Sequence, residues 1–308
     1  MTQPQRALGR RAPKNAPALE ARRFLNLGAV PVHPGAVDHF NEVSDFGLYG
    51  NDKYGVCGPT SVANQRKLIT RYLSAAEQSP SQDDVFDLYR RSGNPGFDPA
   101  IDADDNGVDM QTMLEAAMSG GLGGVKPLAF AKVDVTNLDE IRAAIAIFGS
   151  LLLGVNLETA QQAQTDRRLW DYEPSGEWGG HAVLAGRYTS AKSGDDVAVI
   201  TWAEIVGTTD AFWTHQVEEA WLVIWPEHLG TAEFEQGVDR DALAADYLAL
   251  TGRPFPVQPQ PGPVPSPVDA ADRALAQALR PFVTQHHVSH ELRQLAGVAK
   301  AWLLDKEL

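Results

Sequence analysis

GNDKYGVCGPTSVAN (residues 50–64) and GGHAVLAGRY (residues 179–188) decide how this chain is read. In the first, a Gly-rich turn from Gly50 to Gly55 runs into Cys57, the sole cysteine, which opens GPTSVANQRKLITRYLS. Val62, Leu68, Ile69, Tyr72 and Leu73 fall there on one helical stripe. A thiol at a helix start feels the positive end of the helix dipole and nearby N–H groups, and both favour thiolate. That placement suits a nucleophile, with a buried structural cysteine as the plain alternative. In the second stretch His181 follows Trp178, Gly179 and Gly180 and begins a strand that would hold its ring rigidly. A helix-start Cys and a strand-start His form a nucleophile pair when the fold joins them. A lone histidine on a strand is more often structural.

Outward from these stretches, the first half of the central region reads as helical. Ser81 to Asp84 matches a capping box for a helix through Tyr89, Asp109 can cap DMQTMLEAAM, and Asn137 can cap LDEIRAAIAIF. The period then changes. LLLGVNL, HAVLAGRY, VAVITW and AWLVIW are short apolar or alternating runs bounded by Gly, Ser and Asp, as strands should be. Helices followed by strands predict an α+β domain rather than a wound parallel sheet.

With both motifs and VITWAE (199–204) on the page, the chain resembles the papain-like cysteine peptidase superfamily, nearest to its short bacterial and phage C39-like members, over roughly residues 45–225. The resemblance implies an N-terminal helical lobe against a C-terminal antiparallel β lobe, with the site in the cleft between them. It also implies an oxyanion-hole amide six residues before the cysteine. Asn51 stands there, where papain-like enzymes usually carry Gln. The chemistry needs a donor, with the Cys57 N–H, about 2.7–3.1 Å from the developing oxyanion. A plain turn is the other reading of Gly50-Asn51-Asp52.

The resemblance further implies an Asn or Asp that orients the histidine. Pairing Tyr188 with Asp196 in an antiparallel hairpin sets His181 opposite Ala203, and leaves Asp195 and Asp196 about 23 Å from the ring at about 3.3 Å per residue. Thr201 then shares the face of His181, in the orienting place. Its hydroxyl can accept the Nδ1 hydrogen bond and fix the tautomer, but brings no charge to stabilise imidazolium. A one-residue slip would turn Trp202 or Glu204 to the ring instead. The expected catalytic set is therefore Cys57, His181, Asn51 and Thr201, with Trp178 and Gly180 lining the substrate cleft. The expected reaction is cleavage of a peptide or other amide bond. The rival is a catalytically weak or inactive papain-like structural or interaction protein that binds partners through its N-terminal arm and C-terminal helices, its phage association implied by the C39-like resemblance alone.

Composition bounds the rest. The chain has 308 residues, 26 Lys and Arg against 40 Asp and Glu, a net charge of −14 and a pI near 4.9, which argues against a general nucleic-acid binder. One cysteine excludes an intramolecular disulfide framework and suits a reducing compartment. Residues 1–26 carry six basic residues and one acidic, with no apolar signal-peptide core, and read as a mobile basic arm. By the resemblance, residues 27–252 read as a papain-like cysteine hydrolase domain. Residues 253–268 hold seven prolines and read as an extended linker, and 269–308 as a helical segment that docks on a partner or self-associates. A peptide or protein substrate, no membrane, no cofactor and a cytoplasmic or virion location complete the expectation. Asp102–Gly107 opens like a calcium loop, but position twelve is Met113, so a solvated acidic turn is the reading adopted. His286, His287 and His290 lack a neighbouring acid and are assigned no metal.

Overall fold

The computed structural model describes residues 5–27, 36–74, 76–101, 103–189 and 197–256. The chain divides at Pro256, and the first unit is described below. The proposed C-terminal segment, most of the Pro-rich linker, the three C-terminal histidines, Asp102, Asp195 and Asp196 lie outside the described residues.

Ahead of the cysteine come two short strands, β1 (Leu19–Glu20) and β2 (Val37–Asp38). Three helices follow: α1 (Cys57–Ser74), α2 (Gln82–Arg91) and α3 (Met110–Gly120). Then come β3 (Ala129–Val133), α4 (Leu138–Phe148), β4 (Leu151–Glu158), α5 (Gln161–Asp166), β5 (Leu169–Trp170) and β6 (Glu177–Tyr188). The hairpin β7 (Val197–Thr201) and β8 (Glu204–Thr208), α6 (Asp210–Gln216), β9 (Val217–Ile224), α7 (Ala232–Gly237) and α8 (Arg240–Thr251) close the unit. The expected α+β class holds, with caps where the sequence puts them. Ser81 and Asp84 form a full capping box on α2, Asp109 accepts from Thr112 N, and Asn137 accepts from Glu140 N. Each satisfies amides that a helix start leaves unpaired.

One mixed sheet orders its strands β1-β3-β9-β4-β6-β7-β8-β5, with β2 also paired to β6. Its long central pairs are antiparallel, and the short edges at β1 and β5 are parallel. Alternate side chains feed two cores. Leu152, Ala182, Leu184 and Trp221 meet Cys57, Val62 and Leu68 of α1 on one face. Leu153, Val155, Val183 and Ala185 meet Ile141, Ile145 and Phe148 of α4 on the other. Burial on both faces explains why these strands read as continuous apolar runs.

The β6–β7 register departs from the expected pairing near the turn, where Tyr188 opposes Val197. A bulge between Ala185 and Arg187 removes the offset, so Leu184 opposes Ile200, as the spacing predicts at the histidine end. The N-terminal arm is a correction. Arg10 and Leu19 are buried, β1 adds to the sheet, and Ala21 and Phe24 enter the core. An arm rich in Arg lies on a domain rich in carboxylates, and Arg6 pairs with Asp166, Arg10 with Glu218 and Glu219, and Lys14 with Glu115. Among the described residues no helix is long and apolar enough to cross a membrane.

Candidate active site

Cys57 is the first residue of α1 and is 1% exposed. Backbone groups of Ala182, Gly58 and Gly9 hydrogen-bond its sulfur. Since Ala182 follows His181 on β6, the sulfur sits one residue along the chain from the histidine. The Ser61 hydroxyl, one turn into α1, donates to Ala182 O at 3.2 Å and fixes helix to strand at this point.

His181 is fully buried. Its Nε2 lies 2.8 Å from Thr201 Oγ1, and its ring stacks on Trp202 at 4.2 Å and 13°. Trp178 also stacks on Trp202, at 5.5 Å and 27°. The nitrogen facing Thr201 is Nε2, not the expected Nδ1; Nδ1 is buried and makes no hydrogen bond. Spacing along two strands fixes which face a ring shares but not its rotation about χ2. Trp202 reaches the ring because it sits with Ala203 in a two-residue turn joining Thr201 to Glu204, both central residues at positive φ (+44° and +63°). This is the turn geometry that suits a twisted hairpin, here without its usual Asn or Gly. Left-handed backbone costs non-glycine residues about 1–2 kcal/mol each, offset by the stacking and by a hydrogen bond from Trp202 Nε1 to Ala7 O at 3.2 Å.

Ala7 belongs to the arm, which crosses the groove over the cysteine. Its carbonyl also takes the side-chain amide of Asn51 at 3.4 Å; that amide reaches Tyr54 O at 3.2 Å as well. Asn51 thus sits in the expected turn and turns its donor to the cleft. Gly9 passes between Gly55 and Gly107 so closely that an added Cβ would lie 2.1 Å from Gly55 O. Gly9 O accepts from Val108 N at 2.7 Å, Arg11 N donates to Val108 O at 2.8 Å, and Arg10 N donates to Gly180 O at 3.0 Å. The arm is therefore an extended strap between the loop before α3 and the start of β6. Asp105, in the loop read as a solvated turn, accepts from Gly55 N at 3.0 Å and from Tyr89 OH at 2.5 Å; the Tyr89 hydroxyl accepts from Gly107 N at 2.7 Å. These bonds hold both glycine walls around Gly9. Among the described residues no His, Cys, Asp and Glu cluster could hold a metal.

The cover sets the electrostatics. Burial pushes the Cys57 thiol up to about 11, partly opposed by the N–H groups of Ala182, Gly58 and Gly9 and by the charge of Arg10. Burial alone pulls His181 down to about 3. The expected thiolate at the helix start is corrected: desolvation outweighs the dipole while the strap is in place. The covered site holds a neutral thiol and a neutral imidazole. The sequence reading reached Trp202 only as the outcome of a one-residue slip, and the role of Asp105 and the strap escaped it; only the paired carboxylates Glu218-Glu219 inside an apolar strand hinted at a buried cationic partner.

Xylellain, a cysteine protease from Xylella fastidiosa, superimposes with a TM-score of 0.55 at 11% identity, covering 73% of this chain and 98% of xylellain. The fold is that of the papain-like cysteine proteases. Procathepsin B S9 from Trypanosoma congolense (TM-score 0.48, 11% identity, 72% and 82% covered) and the Carica candamarcensis cysteine protease CMS1MS2 (0.46, 17%, 62% and 99%) superimpose with lower scores. No protein-family profile and no curated protein matches the chain in sequence.

Proposed function

We propose that the chain is a cysteine peptidase-like hydrolase of a peptide or other amide bond, and that the strapped cleft is its resting form. One observation carries the reading: His181 Nε2 lies against Thr201 Oγ1 while Nδ1 has no hydrogen-bond partner, one residue from the strand N–H that holds the Cys57 sulfur. With its proton on Nε2, the ring offers Nδ1 as the base for the thiol. Once the strap leaves, water and the helix dipole favour thiolate. Cys57 attacks the carbonyl carbon, the oxyanion takes the Cys57 N–H and the Asn51 amide, and His181 protonates the leaving amine. A water activated by His181 then releases the thioester. Thr201 orients the ring, Trp202 covers it, and Trp178 with Gly180 borders the substrate path.

The scaffold reading is favoured by one observation, the uncharged Thr201 against His181. Alkylation separates the two. In a chain whose strap has been displaced, Cys57 should react with iodoacetamide well below pH 8.5, and His181→Ala should abolish that early reactivity together with amide hydrolysis. Equal labelling of parent and His181→Ala from pH 5 to pH 9, with no turnover, would leave the scaffold.

A further inference from the structure

The Arg10 side chain is wholly buried although it belongs to the strap rather than to the sheet it enters. It runs over a floor without side chains. A Cβ on Gly154 would lie 2.3 Å from Arg10 Nε, and one on Gly180 would lie 2.2 Å from Arg10 O. Leucine or valine at 154, as in the rest of β4, would close the channel. At its end Nε donates to Glu219 Oε1 at 2.7 Å, Nη2 to Glu218 Oε2 at 2.6 Å, and Nη1 to Asn156 Oδ1 at 3.0 Å. Three acceptors around one planar fork match guanidinium and not a point-charge ammonium.

The seat is built by the sheet and not by the strap. Glu219 lies opposite Gly154 in the β4–β9 pairing, is 1% exposed, and has its second oxygen held by Trp221 Nε1 at 2.7 Å. Asn156 Nδ2 bonds Glu218 Oε2 at 3.1 Å, so the second carboxylate is positioned as well. Anchoring a strap does not require this. An apolar side chain would hold as well, because a buried ion pair seldom stabilises more than its apolar replacement. A buried carboxylate fixed beneath a glycine floor is a recognition device. The floor adjoins the catalytic candidates, since Gly180, which takes the Arg10 N–H, directly precedes His181.

We propose that Glu219, Glu218 and Asn156 form a guanidinium subsite of the cleft, filled by Arg10 in the strapped chain and by an arginine side chain of the peptide substrate once the strap has left. This rests on the cleft being a hydrolase site, and the test separates the two. In full-length Arg10→Ala that also carries Gly9→Val to expel the strap, the subsite is empty and open. Calorimetry should find acetyl-Gly-Arg-Gly amide bound about ten-fold tighter, or more, than acetyl-Gly-Leu-Gly amide. The parent should bind neither well, and adding Glu219→Gln to the double variant should erase the preference. Equal affinities, or a preference that survives Glu219→Gln, overturns the subsite. If the double variant does not fold alone, rescue becomes the readout: the arginine peptide should restore its cooperative melting and the leucine peptide should not, and rescue by both or by neither overturns it. Coumarin amides of the same sequences then test turnover. Arginine-selective binding without hydrolysis sinks the hydrolase reading and leaves the seat; hydrolysis indifferent to arginine sinks the subsite and leaves the hydrolase.

Discussion

At the scale of single residues, His181 is held by a hydroxyl on one edge and an indole on one face, and both grips come from the β7–β8 hairpin. The hydroxyl matters because, in the proposed resting site, it accepts the Nε2–H hydrogen bond and leaves Nδ1 free for the thiol. Thr201→Val preserves shape and removes the acceptor, leaving a buried N–H unpaired. We expect this to lower stability by about 1–3 kcal/mol and amide turnover by up to about 100-fold, the low end of what one positioned acid–base group contributes, because the ring itself remains. Thr201→Asn, which keeps an acceptor, should retain most activity. Turnover in Thr201→Val matching the parent would show that the tautomer is set elsewhere. Thr201 could be found from the sequence because antiparallel strands fix faces by parity. Trp202 could be reached only by supposing a slip, because its actual approach needs a left-handed turn at Trp-Ala that no residue preference announces.

At the scale of elements, the strap is held at its narrowest point by backbone against backbone at Gly9, so a side chain there cannot be accommodated by a rotamer change. Gly9→Val should expel the strap from the groove while leaving the helices and sheet intact. The expected result is at least about ten-fold faster alkylation of Cys57 at neutral pH, since lowering a thiol from about 11 toward its ordinary value multiplies the thiolate fraction. Unchanged labelling with unchanged circular dichroism would mean that the strap does not govern access. The contrast with the helices explains what could be read beforehand. Ser81, Asp109 and Asn137 cap amides three residues away, so their signals are local. Arg10 meets Glu219 across 209 residues of sequence, and a basic, Pro-containing stretch with such distant partners looks like any solvated tail.

At the scale of the whole molecule, the buried histidines give the fold a pH limit. His39, His181 and His228 are each under a tenth exposed, and burial lowers them to about 4, 3 and 4. His228 is built into the core, with Nε2 3.1 Å from Phe148 O and Nδ1 accepting from Trp225 N at 2.8 Å. A depressed folded pKa means that the unfolded chain binds the proton first. The stability is therefore fully present above about 6.5 and is lost as pH falls through the folded values. Between about pH 6 and 5 the unfolded state holds up to three extra protons, so stability should fall by roughly 3–4 kcal/mol per pH unit. Urea melts at half-unit steps from pH 7.5 to 4.5 measure the slope directly, and His228→Gln should make it shallower by about a third if the variant folds. A flat profile from pH 6.5 to 5 would mean that the three rings are hydrated in the folded chain, and the dry, covered environment of His181 would fall with it.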